Sequence, residues 1–227
     1  INCYNSSFPV IISNTISGSS YGICCDFSSP VITNNIISGN SNYGIYCYRY
    51  SSPTITNNTM SGNSNSGIYC YFYSSPVITN NIITENGTTN VSYYGIYNNP
   101  DYSSDIPTIN YNCVWGNGLS TTNNYYNCTP GVGNISTQPQ FIGVNDYHLG
   151  TASPCINKGS NTAPSIPSTD KDGKPRIYNN YIVDMGAYEY QGTPTLQYGT
   201  LSISSNPSGA SIFLDNGTQT QGTTTAI

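Results

Sequence analysis

A short unit that opens on proline recurs five times in this chain, and it constrains the fold more than any other feature. Its copies are Pro9-VIISNTISG, Pro30-VITNNIISGN, Pro53-TITNNTMSGN, Pro76-VITNNIITEN and Pro107-TINYNCVWGN, with prolines 21, 23, 23 and 31 residues apart. The second residue after each proline is always isoleucine: Ile11, Ile32, Ile55, Ile78 and Ile109. The fifth is always asparagine: Asn14, Asn35, Asn58, Asn81 and Asn112. The seventh is always apolar: Ile16, Ile37, Met60, Ile83 and Val114. Self-similarity at a fixed short period is the signature of a stacked architecture, in which one repeat alone has no core.

A second, shorter unit falls between the copies: Gly22-Ile-Cys-Cys, Gly44-Ile-Tyr-Cys-Tyr, Gly67-Ile-Tyr-Cys-Tyr and Gly95-Ile-Tyr-Asn. Both units alternate apolar and polar residues, and both are rich in β-branched and aromatic side chains, the pattern of half-buried strands. No segment has a helical period. Short strands punctuated by Pro, Gly and Asn predict a solenoid whose coils stack through parallel strands about 4.8 Å apart. Identical residues then fall on identical residues. Isoleucines build a continuous interior, and the Asn at the fifth position is expected at a bend, bonding the Asn of the next coil and the turning backbone.

These units resemble the right-handed parallel β-helix repeats of bacterial and archaeal surface proteins, over residues 1–118. The resemblance implies an all-β, right-handed parallel β-helix. It says little about activity, because such proteins include polysaccharide lyases, hydrolases, adhesins and spacers. Beyond Trp115-Gly-Asn the repeat is expected to stop. The runs Asp146-YHLGTASPCINKGSN, Asp170-KDGKPRI and Val183-DMGAYEY resemble the irregular C-terminal cap that closes many secreted β-helix proteins. Asn157 stands where that pattern commonly has Asp. Gly199-TLSISSNPSGASIFLDNGTQTQGTTTAI resembles the start of a PEGA domain, a small β-sandwich, with Pro207-Ser-Gly-Ala210 lacking the Glu of its namesake turn. The implied map is coils at 1–118, cap at 119–191, linker at 192–198 and partial sandwich strands at 199–227.

Charge narrows the function. Only 15 of 227 residues are charged, and the net charge is −5. Five basic residues leave no footprint for nucleic acid phosphates, and no apolar run reaches the roughly 18 residues of a membrane span. The first hundred residues hold just Asp26, Arg49 and Glu85, which fall at different places in the repeat with no pairing expected. Catalysis by a lyase or glycosidase needs clustered carboxylates or bases, so no catalytic residue is assigned. Within the cap, Asp172, Arg176 and Asp184 are expected to form a buried charged network. Asp170-Lys-Asp172-Gly lacks the further acidic ligands of a Ca²⁺ loop, and His148 reads as a packed or surface residue. No cofactor and no metal is expected.

Eight cysteines in so polar a chain suggest an oxidising, extracellular or cell-surface setting. Cys3, Cys25, Cys47 and Cys70 share one repeat position and point inward. Bridges such as Cys3–Cys25 and Cys47–Cys70 compete with a reduced ladder of small hydrophobes, and the ladder is favoured because bridging directly stacked parallel residues strains the geometry. Cys24 is expected outward and open to intermolecular bonding. Cys113 and Cys128 are expected to close the loop between the last coil and the cap, with Cys155 nearby. Glycosylation sequons occur at Asn5, Asn57, Asn86, Asn90, Asn127, Asn134 and Asn216, about the number that so many Asn, Ser and Thr give by chance.

Tyrosine is the most function-like feature. Tyr46, Tyr69 and Tyr97 are expected to stack outward in one column, Tyr48 and Tyr71 in a second, Tyr50 and Tyr73 in a third. Outward aromatic columns stack on sugars or bury against protein. The leading expectation is a non-catalytic extracellular structural protein that self-associates into a fibre, sheath or surface layer, helped by open ends and low charge. A glycan-binding or adhesion module on the Tyr columns is the alternative, and a polysaccharide lyase or hydrolase the third.

Overall fold

The computed structural model describes residues 1–99, 106–119, 123–192, 211–213 and 219–223. The chain divides into two compact units, Ile1–Gln191 and Gly192–Ile227. All regular elements are strands, and no helix occurs among the described residues.

Each coil of the first unit lays down three short strands, one for each of three parallel sheets. Sheet A stacks β1 (Asn2–Tyr4), β4 (Ile23–Asp26), β7 (Ile45–Tyr48), β10 (Ile68–Tyr71), β13 (Ile96–Asn98) and β16 (Tyr125–Tyr126). Sheet B stacks β2 (Val10–Ile12), β5 (Val31–Thr33), β8 (Thr54–Thr56), β11 (Val77–Thr79) and β14 (Thr108–Asn110). Sheet C stacks β3 (Thr15–Ser17), β6 (Ile36–Ser38), β9 (Thr59–Ser61), β12 (Ile82–Thr84) and β15 (Cys113–Trp115). The register sets like on like: Ile11 on Ile32, Ile32 on Ile55, and Ile55 on Ile78. One apolar cluster runs the length of the stack, from Cys3, Ile11 and Ile16 to Ile109 and Val114.

Two devices turn the chain between sheets. The bend from B to C places Ser13, Asn34, Asn57, Asn80 and Tyr111 at φ between 54° and 59°, a left-handed conformation that Asn tolerates better than most residues. The entry to sheet A is set by close approach. A Cβ on Gly44 would lie 2.6 Å from the Gly67 carbonyl and 3.0 Å from Asn63 Nδ2, which explains the glycine that opens each Gly-Ile unit.

The solenoid runs further than the Pro-Ile signature. Past residue 118, β16 still pairs with β13, and Ile135 bridges Cys113 in parallel. This last coil keeps the Asn rungs Asn124 and Asn134 but has no Pro-x-Ile spacing, so the proline unit did not announce it.

The segment expected to close the end of the stack is a strap laid lengthwise along its flank. After β17 (Phe141–Gly143) and β18 (Asp146–Leu149), an antiparallel pair, the chain descends the B–C bend coil by coil. Ser160 meets Asn80, Thr56 Oγ1 donates to the Pro164 carbonyl at 2.8 Å, and Asn34 Nδ2 donates to the Thr169 carbonyl at 2.6 Å. Lys171 Nζ reaches the Ser13 carbonyl at 2.9 Å. The return leg passes Asn57 at Asp184 and Gly186, and Ala187 N–H donates to Thr59 Oγ1 at 3.1 Å. Leu149, Cys155 and Met185 form a second apolar cluster with Ile82 and Cys113 on the outside of sheet C.

In the second unit, β19 (Ser211–Phe213) and β20 (Gln219–Thr223) pair antiparallel. The rest of the segment likened to a PEGA domain, including its Pro207–Ala210 turn and Asn216, lies outside the described residues, as does most of the 192–198 linker.

Candidate functional site

The asparagines at the fifth repeat position form an unbroken interior ladder. The backbone N–H of Asn14 donates to Asn35 Oδ1 at 2.9 Å, and the same bond joins Asn35 to Asn58, Asn58 to Asn81 and Asn81 to Asn112 at 2.8–2.9 Å. Asn112 passes it on to Asn134 at 2.9 Å. Each interior Nδ2 also caps backbone carbonyls, as Asn58 does at Ile32 and Thr56. A second ladder, Asn40, Asn63, Asn86 and Asn117, repeats the scheme at the exit from sheet C. Its signal is the Asn ten residues after Pro30, Pro53, Pro76 and Pro107. The buried rungs spend their side-chain amides on the fold, as buried polar groups require.

That placement corrects several sequons. Asn57 and Asn86 are fully buried with Nδ2 engaged, and Asn134 is a ladder rung whose Nδ2 donates to the Ile109 carbonyl at 2.8 Å. None of the three presents an amide to a glycosyl donor in the folded chain. Asn5, Asn90 and Asn127 are exposed.

The tyrosines lie on the outer face of sheet A, with Tyr46, Tyr69 and Tyr97 in register and Tyr48 beside Tyr71. Their rings stack along a different line from the register. Tyr43, Tyr69, Tyr97 and Tyr126 stack face to face with centroids 4.5, 4.9 and 4.5 Å apart and planes within 17°. Tyr48 stacks on Tyr71 at 5.6 Å, and Phe27, Tyr50 and Tyr73 form an outer stack at 5.9 and 5.1 Å. Interior rings therefore spend both faces on each other and turn their edges outward. Burial, with neighbouring phenols, pushes the Tyr43 hydroxyl up to about 12 and raises Tyr46 and Tyr97. Tyr50 is the most open, at 56% exposure.

Asp26 and Arg49, expected apart, form an ion pair across adjacent coils, with Arg49 Nε donating to Asp26 Oδ1 at 2.7 Å. The guanidinium also lies over the Phe27 and Tyr48 rings at 4.9 and 4.7 Å. One coil here is 22 residues, with Asp26 facing Tyr48, so Arg49 reaches the carboxylate from one residue further along the next coil.

Cys24 is corrected too: although it alternates with inward Cys25, it is only 7% exposed in register with Tyr46. All eight cysteines are unpaired. Thiol contacts join Cys3 with Cys25, Cys47 with Cys70, and Cys113 with Cys155. Cys128 packs against the solenoid interior instead, so the expected Cys113–Cys128 closure is replaced by a meeting of coil and strap.

Within the strap, the charged network differs from the expected one. Arg176 is fully buried and donates to the Gly186 and Ala187 carbonyls at 3.2 and 2.7 Å and to Asn34 Oδ1. Its ionic neighbours are Glu189 at 3.6 Å, Asp184 and Asp170. Asp184 accepts from the backbone of Asn157 and Tyr190 at 2.7 and 2.6 Å, so Asn157 contributes its N–H to that carboxylate. Burial raises Glu189 to about 8, with Asp184 adding to the shift, and burial raises Asp184 to about 6. Asp172 lies outside this cluster. It holds His148 Nε2 at 3.0 Å, while Asp146 holds Nδ1 at 2.5 Å and Tyr188 stacks on the ring at 3.8 Å. Burial pulls the imidazole pKa down, but the bonds to Asp172 and Asp146 outweigh it and the net shift is upward. Among the described residues, no three His, Cys, Asp or Glu side chains are grouped to hold a metal ion. No helix there is long and apolar enough to cross a membrane.

Sheet C has two outward columns, and the strap covers one. Thr59, Ile82 and Cys113 lie beneath it. The other column, Ser17, Ser38, Ser61, Thr84 and Trp115 in continuous register, floors a groove of about 850 Å³. Its far wall is the 138–147 segment with Phe141 and Tyr147, and Tyr188 joins it from the strap. Glu85 is the sole charged residue in the lining.

Stacked parallel sheets, an isoleucine interior and Asn-bonded bends define a parallel β-solenoid. The model of the right-handed β-helix region matches residues 1–151, and the chain belongs to that family. No curated protein and no solved structure matches the chain.

Proposed function

We propose that this chain is a non-catalytic structural module of an extracellular or cell-surface protein, and that copies associate side by side through the aromatic face of sheet A. One observation carries the reading: an outward column of stacked rings, Phe27, Tyr50 and Tyr73, with exposures of 43, 56 and 37% on a rigid, regular face. The stack spans three successive coils just past the ends of the sheet A strands, and large exposed aromatic patches mark interaction sites. Low charge supports the same reading, because little repulsion holds such faces apart. A family fold compatible with surface and structural roles agrees with it.

The geometry gives less support to sugars on these columns, since interior rings have no free face. It gives least to polysaccharide cleavage. The coils' only ion pair among the described residues, Asp26–Arg49, is self-satisfied, and the carboxylates near Arg176 are buried within the strap.

Sedimentation velocity over a hundredfold concentration range tests the proposal, with wild type beside a Tyr50→Ser/Tyr73→Ser double variant. Concentration-dependent association that the double variant loses, at unchanged circular dichroism, is the expected result. A wild type that stays monomeric at millimolar concentration overturns it.

A further inference from the structure

We propose that His148 is a proton-operated clasp: its imidazolium fastens the tip of the β17–β18 hairpin to the strap, and loss of the proton frees that tip, which is one wall of the groove beside sheet C. This device is the chain's own response to pH and stands independently of the assembly reading.

Three segments meet at the ring. Asp146, two residues back on β18, holds Nδ1 at 2.5 Å, and Asp172, on the 170–174 turn of the strap, holds Nε2 at 3.0 Å. Tyr188, on the strap's return leg, stacks on the ring with centroids 3.8 Å apart. The turn that presents Asp172 is fixed from within, because Asp170 Oδ1 accepts the backbone N–H groups of Asp172 and Lys174, both at 2.9 Å. Among the described residues, the bond to Asp172 is the one hydrogen bond between the 142–148 tip and the strap. Neighbours alternate along a strand. Tyr147 therefore lines the groove with Gly143, Val144 and Asn145, while His148 turns to the strap behind that wall.

Proton count decides what the ring can hold. An imidazolium has two N–H donors and gives one to each carboxylate in charge-assisted bonds. A neutral imidazole has one donor, so its other nitrogen sets a lone pair against a carboxylate. The donor that remains belongs with Asp146, which is local, lies nearer and also accepts the His148 backbone N–H at 3.2 Å. The bond lost is the one to Asp172, which keeps Lys174 Nζ at 3.1 Å as a partner on its own turn. Asp146, Asp172, Lys174 and Tyr188 are the charged or titratable groups around the ring. Burial lowers the imidazole pKa, the bonds to Asp172 and Asp146 outweigh it, and the net shift is upward from 6.5. The clasp is thus closed at and below pH 6.5 and opens as pH rises through the raised value.

His148 is the chain's only histidine, so its ring signal titrates alone in an NMR spectrum. Expected are a His148 pKa above 6.5 and weaker protection of the 141–149 amides against hydrogen exchange at high pH. The protection factors should be roughly two- to fivefold lower at pH 8.5 than at pH 5.5. Asp172→Ala should show the low protection at both pH values and bring the His148 pKa down. Glu189→Gln, which removes the buried acid raised to about 8, should keep the wild-type difference. A His148 pKa at or below 6.5 overturns the proposal, as does equal protection at the two pH values or wild-type behaviour in Asp172→Ala. Loss of the difference in Glu189→Gln also overturns it, by placing the pH response in the acids around Arg176.

Discussion

Asn57 Nδ2 donates to the Asp184 carbonyl at 2.9 Å, joining a solenoid bend to a strap residue 127 positions later. Asn57 also has φ 54° and reaches the Gly186 carbonyl at 3.3 Å. One residue thus shapes the bend and holds the strap. Asn57→Gly keeps the left-handed backbone and removes the bonds, and is expected to cost about 1–3 kcal/mol. Asn57→Ala adds backbone strain and is expected to cost about 1 kcal/mol more. Urea denaturation gives the totals. Hydrogen exchange should show faster opening at 183–187 in both variants, and a strap as protected as in wild type would refute the assignment.

The interior Asn ladder predicts a position-dependent penalty. Asn58 is fully buried, bonded to Asn35 and Asn81 and to the Ile32 and Thr56 carbonyls. Its replacement by Ala strands several buried groups, so a loss of roughly 3–5 kcal/mol is expected. Asn14 is exposed, and Asn14→Ala should cost less than about 1 kcal/mol. Equal losses would mean that the ladder is incidental to stability.

The coils were legible because each tells the same story: Ile at one position, Asn at another, Gly before a third strand. Repetition multiplies a weak local signal, and stacking makes one coil's register predict the next. The second ladder through Asn40, Asn63 and Asn86 was equally periodic, and the Asp26–Arg49 pair joins adjacent coils. The ladder lies inside the proline unit itself, at its last position, and the ion pair lies outside it, at the end of the Gly-Ile unit. The strap was hidden for the opposite reason. Asn34, Asn57 and Asn80 repeat, but their partners Thr169, Asp184 and Ser160 occur once each, on a segment with no period. The burial of Cys24 and the groove above Thr84 depend likewise on what covers a strand's outer face, which alternation along the strand does not encode.

Thiol contacts predict the bridges that mild oxidation would form. Two thiolates lose two electrons to an added disulfide oxidant such as oxidised glutathione, and one S–S bond results. Peptide mapping without reductant is expected to find Cys3–Cys25, Cys47–Cys70 and Cys113–Cys155, which are the pairs in contact. A Cys113–Cys128 peptide would contradict the placement of Cys113 against the strap.

Phenol titration reads the aromatic face directly. Burial, aided by neighbouring phenols, raises Tyr43 to about 12 and raises Tyr46 too, so these rings should still be neutral at pH 11. Absorbance at the phenolate band should therefore still be rising above pH 11. Tyr46→Phe should remove amplitude from the rise above pH 11 alone. A single transition near pH 10 would mean that the rings are not packed together.

The buried acids of the strap predict that stability falls as pH rises. Burial lifts Glu189 to about 8 and Asp184 to about 6, against ordinary values of 4.5 and 3.8. Arg176, Asp170 and each other are the charged groups that face them. Between the ordinary and the raised value, the folded chain holds a proton that the unfolded chain has released. Stability is therefore intact below about pH 4 and declines as pH rises toward 8, by up to about 1.4 kcal/mol per pH unit for each proton of difference. Urea midpoints measured from pH 5 to 8.5 should fall steadily, and Glu189→Gln, which stays neutral, should flatten the upper part of that profile. Rising midpoints over the same range would mean that Arg176 holds both carboxylates ionised, and that the strap is fastened by a full ion pair instead.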